Sequence, residues 1–163
     1  MLAHTLPDYE LFIYALQDHY PSIQISTLVV IWQATDVATV EGELIFRNGC
    51  RVRVLEVVRF DLIPPRLGRY GYEVWRGSEK LYWYDSQAHP NDPTLAATDP
   101  HHKHIPPDAK HHRIPAPGFS FTQPNLPLVI AEVERLLSKL AASGASPDPL
   151  GLAHTPTTTH GAQ

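Results

Sequence analysis

A single cysteine, Cys50, excludes an intrachain disulfide and any zinc site built from several thiolates. A reducing cytoplasm is the expected setting. Long apolar runs are also missing, and nothing approaches the roughly 18 residues that a membrane-spanning helix needs. Met1 to Leu6 show no basic stretch followed by an apolar one, so no signal peptide is expected. Positive charge is in short supply as well. The formal charge of -4 argues against a general nucleic-acid coat. No internal repeat is visible. The apolar share of 43% is ordinary, so the 163 residues are expected to build one domain with a packed core.

The charge is unevenly spread. Between Arg47 and Arg76 seven arginines (47, 51, 53, 59, 66, 69 and 76) accompany only Glu56, Asp61 and Glu73. A local positive patch is therefore expected on an acidic chain. Histidine is the other excess. Six of the ten histidines fall between His89 and His112.

Local patterns predict an α+β fold. Thr5-Leu6-Pro7-Asp8 reads as a helix start, and Tyr9, Phe12, Ile13, Leu16 and Tyr20 follow at helical spacing up to Pro21. Residues 23–33 are β-branched and apolar, as in a strand. Asn48-Gly49 and Gly77-Ser78 each separate two alternating segments, and both suit two-residue hairpin turns. That register places Glu43 opposite Val54, Glu41 opposite Glu56, Tyr70 opposite Asp85 and Tyr72 opposite Trp83. Residues 86–127 hold nine prolines and predict a long Pro/His-rich loop. A closing helix is expected over residues 125–143, with Val129, Val133, Leu136, Leu137 and Leu140 as its apolar stripe. The expected whole is an antiparallel meander of about five strands with an N-terminal and a C-terminal helix. Residues 1–143 form this domain, and 144–163 read as a disordered tail.

Three places could carry chemistry. In Pro100-His101-His102-Lys103-His104, His102 and His104 share one side of an extended backbone. They could grip one metal ion, to which His89 and the pair His111-His112 could add ligands and Asp85, Asp92 or Asp99 an oxygen, although the spacing matches no standard zinc signature. The alternative is metal-free acid–base work, because imidazole titrates near neutrality. RNA supplies its own nucleophile, so one of His101, His102 and His104 as base and another as acid, with Lys103 and Arg113 neutralising phosphate, would suffice. Asp85 is the second place: it could orient His89, or simply start a turn. Glu56 is the third: it sits in an apolar strand, where it is either functional with a shifted pKa or solvent-facing beside Glu41. Trp75, Tyr82 and Tyr84 are expected to pack in the core, with stacking on RNA bases as the alternative.

Several of these segments together resemble the TumE family of toxins. They are Phe46-Arg47-Asn48-Gly49 with Glu56, Trp75-Arg76-Gly77-Ser78, Leu81 to Pro90 with its Trp83-Tyr84-Asp85 step, and Pro100-His101-His102-Lys103-His104. The likeness covers residues 20–140, and the Pro-His-His-Lys-His loop is its most specific part. The resemblance implies the toxin half of a type II toxin–antitoxin pair, with a helix-turn-helix antitoxin as partner and a translation-blocking or RNA-cleaving activity, RNA being the substrate in the second case. The acid–base reading of the histidines needs no cofactor. By position the resemblance points to Glu56, Asp85, His89, His101, His102 and His104. One departure is Trp83, where many relatives carry Arg; if that Arg clamps phosphate, Arg76 or Arg113 must replace it here, or the activity is altered. A metal-dependent hydrolase and a non-catalytic protein-binding module remain the alternatives. The loop is expected to fold back so that its histidines approach the strand ends carrying Glu56 and Asp85, with the arginine patch bordering the site.

Overall fold

The computed structural model describes residues 2–143; the expected disordered tail lies outside them. The chain is α+β, with an antiparallel sheet and a helical element at each end. Two short helices open it, α1 (Leu6–Tyr14) and α2 (Leu16–His19). Thr5 caps α1 by accepting the Asp8 N–H through its side chain at 3.3 Å, as its sequence predicts. The strands are β1 (Ile23–Ser26), β2 (Val29–Ala34), β3 (Val37–Phe46), β4 (Cys50–Arg59), β5 (Arg66–Arg76), β6 (Glu79–Asp85), β7 (His102–His104) and β8 (Arg113–Pro115). Helix α3 (Leu126–Ala142) closes the fold.

Eight strands replace the expected five. The segment expected as one strand, 23–33, is split into β1 and β2, which both pair with β3. The split lies opposite Gly42, whose φ of +136° suits glycine. A Cβ there would come within 2.4 Å of the Thr27 carbonyl oxygen. Gly42→Ala is therefore expected to destabilise the fold by roughly 2–4 kcal/mol, read by chemical denaturation. The Pro/His stretch adds the last two strands. Prolines forbid long elements there, but three residues fit between them, and β7 and β8 extend the sheet beyond β6.

Both hairpin registers differ from the two-residue expectation. Asn48 and Gly49 do take positive φ, 67° and 72°. Their turn, however, spans Arg47–Gly49, so Glu43 faces Arg53 and Val40 faces Glu56. At the second hairpin Arg76 faces Glu79 as expected, and a bulge after Val74 then shifts the rest. Tyr72 consequently faces Tyr84, and Gly71 faces Asp85. One reason explains both shifts. The observed register puts Val52 and Val54 beside Leu44 and Gly42, and Tyr82 and Tyr84 beside Val74 and Tyr72, so apolar side chains share one face.

That face is the core. Tyr9, Ile13 and Leu16 from α1 and α2, and Leu126, Val129, Ile130 and Val133 from α3, are buried with it. Each fully buried aliphatic side chain contributes about 1.5–3 kcal/mol, so α3 is held by its apolar face rather than by its caps. No helix among the described residues is long and apolar enough to cross a membrane.

Candidate functional site

On the opposite face, cross-strand partners form two parallel rows. One runs Glu41, Leu55, Gly71, Asp85, His102 and Pro115; the other runs Glu43, Arg53, Glu73, Trp83, His104 and Arg113. Short strand β7 thus delivers two histidines to the strand end that carries Asp85, as period-two geometry requires. His102 Nε2 lies 3.0 Å from Asp85 Oδ1, and His104 Nε2 lies 3.2 Å from Asp85 Oδ2. The two Nε2 atoms are 2.8 Å apart.

Backbone carbonyls orient both rings. His102 Nδ1–H donates to the Pro100 oxygen at 3.0 Å, and His104 Nδ1–H donates to the Ala109 oxygen at 2.7 Å. A carbonyl only accepts, so each Nδ1 carries a hydrogen and each neutral ring presents an Nε2 lone pair toward Asp85. Asp85 is held too, by the Gln87 N–H (3.0 Å) and the Trp83 indole N–H (3.3 Å). Trp83 also stacks on His104, with centroids 4.1 Å apart. Its place in the sequence therefore buttresses the site.

The rings are buried, at 1% exposure for His102 and 5% for His104, whereas the Asp85 side chain is 25% exposed. Access is from the Asp85 side. There, Gly71 leaves open space where a side chain would stand, in a groove of about 390 Å³ lined by Leu55, Arg69, Trp83, Asp85 and Gln87. Burial alone would raise the Asp85 pKa, but the hydrogen bonds that His102 and His104 donate once Nε2 is protonated, with the Gln87 amide, outweigh it and hold the carboxyl far below its usual range. Burial opposes protonation of His102, yet Asp85 and the Pro100 carbonyl prevail, and its pKa is raised.

His89 packs edge-on against His102, with centroids 4.7 Å apart. Partial burial first, and then the Arg113 and His102 charges, lower its pKa, so its ring is neutral near pH 7. Arg113 lies opposite His104, and its Nε is shielded from solvent with no hydrogen-bond partner among the described residues.

Other expected site residues are elsewhere. His101 faces the core side, where Tyr70 stacks on it and Tyr70 Oη lies 2.8 Å from its Nδ1. Lys103 also points to that side; it pairs with Glu132 of α3 and sits 3.8 Å over the Tyr82 ring. Glu56, neither solvent-facing nor beside Glu41, is 1% exposed and accepts hydrogen bonds from the Tyr9 and Tyr72 hydroxyls. The histidine pair thus meets Asp85 and not Glu56, because the two carboxylates belong to opposite faces. Arg76 sits at the β5–β6 turn, at the far end of the hairpin from Asp85. Trp75 turns outward under Arg51 and Lys80, while Tyr82 and Tyr84 are in the core as expected. Of the arginine patch, Arg69 lines the groove beside Asp85 and Arg53 the adjoining one; Arg51 and Arg59 are paired with Glu43 and Asp61.

Sequence reasoning missed Trp83 as an Asp85 partner and Gly71 as a groove floor. Trp83 was legible as Asp85 minus two, which puts both on one face; Gly71 carries no signal until its neighbours are known.

The family model described as Toxin TumE matches residues 16–137, a span that contains every residue of the site. The chain belongs to the TumE toxin family. No curated protein and no solved structure matches. Within this TumE member, the Pro-His-His-Lys-His segment that carries the resemblance is the one that builds β7, so its most specific motif and its convergent histidines are the same residues.

Proposed function

We propose that this chain is the toxin of a two-gene module, restrained by a small helix-turn-helix antitoxin in the cytoplasm, and that it arrests growth by cutting RNA. Membership of the TumE family supports the toxin part. The convergence of Asp85, His102 and His104 beside an open groove carries the RNA-cutting part. Three acceptor groups at such distances require a positive charge among them, and that charge would favour a phosphate brought to the exposed side of Asp85. His89, neutral and partly exposed, is placed to accept the 2′-hydroxyl proton. The 2′-oxygen then bonds to phosphorus and the bond to the 5′-oxygen breaks. The leaving oxygen takes a proton supplied at the centre formed by Asp85, His102 and His104. Arg113, the cross-strand partner of His104, adds positive charge beside the centre. Along the same face Trp75, Trp83, Arg53, Arg69 and Lys80 suit a single strand, with rings for bases and cations for the backbone.

The test is controlled induction in a bacterial host, with total RNA followed over time. Wild type should arrest growth and fragment RNA, and His102→Ala/His104→Ala should do neither. Lys103→Met should still arrest growth, because it points away from the site; it should cost about 1–3 kcal/mol of stability by removing the cation paired with Glu132, which then keeps only the Tyr84 hydroxyl. Arrest without fragmentation would keep the toxin and remove the RNA reading. No arrest from soluble wild type would favour a protein-binding module.

A further inference from the structure

We propose that Asp85, His102 and His104 hold a divalent transition-metal ion of the zinc class, bound by one carboxylate oxygen and two Nε2 atoms. The inference deepens the reading above, on which its catalytic meaning rests, by naming the charge at the centre.

Both Nδ1 positions are committed as donors to the Pro100 and Ala109 carbonyls. What remains is two Nε2 lone pairs and a carboxylate, mutually 2.8, 3.0 and 3.2 Å apart. One proton cannot satisfy that triangle. Placed on His102, it leaves His104 Nε2 facing Asp85 Oδ2 acceptor to acceptor; placed on His104, it leaves the same conflict at His102. Protons on both rings would drive two N–H groups together across the 2.8 Å gap. A metal ion accepts electron density from all three groups at once.

The dimensions fit. Zinc binds nitrogen and oxygen at about 2.0–2.2 Å, which sets tetrahedral ligand atoms roughly 3.3 Å apart. The two Nε2 atoms, 2.8 Å apart, need to open by about half an ångström, and the carboxylate, whose Oδ1 lies 3.0 Å from His102 and Oδ2 3.2 Å from His104, needs to turn to present one oxygen to both. The surroundings are those of a metal site as well: backbone carbonyls fix both imidazole tautomers, and N–H donors from Gln87 and Trp83 hold the carboxylate. Two nitrogen donors favour a transition metal over Mg²⁺ or Ca²⁺, which prefer oxygen. Three protein ligands leave one position open, and the exposed side of Asp85 gives solvent and substrate a way to it. There the ion would polarise a phosphate oxygen or a bound water.

Titration calorimetry on the untagged, chelator-stripped full chain tests this, with Zn²⁺ and Mg²⁺ as separate probes. The expected result is one Zn²⁺ per chain, with Mg²⁺ at least about 100-fold weaker. Affinity for Zn²⁺ should fall at least about 100-fold in His102→Ala/His104→Ala and markedly in Asp85→Asn, whose near-identical shape guards against simple misfolding. Co²⁺ added to wild type should give a d–d absorption band that both variants lack. Absence of saturable Zn²⁺ binding would overturn the proposal. So would equal binding by wild type and double variant, which would place the ion on other histidines. RNA cleavage is scored in parallel. An ion bound here with RNA left intact removes the RNA reading and keeps the site. RNA cut by stripped protein that binds no ion does the reverse.

Discussion

Asp85→Asn is expected to abolish growth arrest and to cut RNA cleavage by at least about 100-fold while the chain stays folded. The substitution keeps the shape of the side chain and removes its charge. One amide oxygen still accepts the Gln87 or Trp83 N–H, and the amide nitrogen can donate to a single imidazole lone pair. Packing therefore changes little, and unfolding should shift by about 1–2 kcal/mol. The electrostatics change completely. The carboxylate is the only negative group among the three, so its loss leaves nothing to hold a proton or a metal ion between His102 and His104. Induction assays on soluble variant decide the matter: arrest as strong as wild type would show that the centre is structural.

Glu56→Ala is expected to destabilise the fold by roughly 3–5 kcal/mol, with no pH at which the loss vanishes. The side chain fills a fully buried position between α1 and β5, and its two oxygens accept the Tyr9 and Tyr72 hydroxyls. Alanine would leave two buried phenols without acceptors and a cavity beside them. Glu56→Gln separates shape from charge. Burial raises the Glu56 pKa, and the two tyrosine hydrogen bonds only partly oppose it. The folded chain thus binds this proton more tightly than the unfolded chain does. The resulting stability is complete below the unfolded value of about 4.3 and is lost as pH rises through the higher folded value. Wild type should therefore lose stability as pH climbs out of the acidic range. Glu56→Gln should lack that component, and the gap between the two should narrow with rising pH. Urea unfolding across pH 4 to 8 checks the sign; parallel curves would mean that Glu56 is not titrating as a buried group.

Much was legible from residues alone. The Thr5-Leu6-Pro7-Asp8 start, the apolar stripe of α3, both turn positions and the antiparallel α+β character follow from local propensity and periodicity, which act over a few residues. His102 and His104 were legible as a pair, because an extended chain puts i and i+2 on one side. The same rule turns Lys103 and His101 away, and the run of histidines hid that consequence.

Register and partner choice were decided by the tertiary structure. Turn chemistry at Asn48-Gly49 and Gly77-Ser78 left the strands one residue from where they pair. Packing of Val52, Val54, Tyr82 and Tyr84 against the helices outweighed it, since one residue of slip would expose a whole apolar face. That single step made Glu56 a core group and turned Trp75 outward. Which carboxylate the histidines meet is likewise a long-range fact: Asp85 and Glu56 lie on opposite faces, and only the addition of β7 to the edge of β6 selects Asp85. Sequence determined which residue types were available and how they alternate, because those preferences are local. Tertiary structure determined which of them converge, because convergence depends on burial summed over the whole sheet.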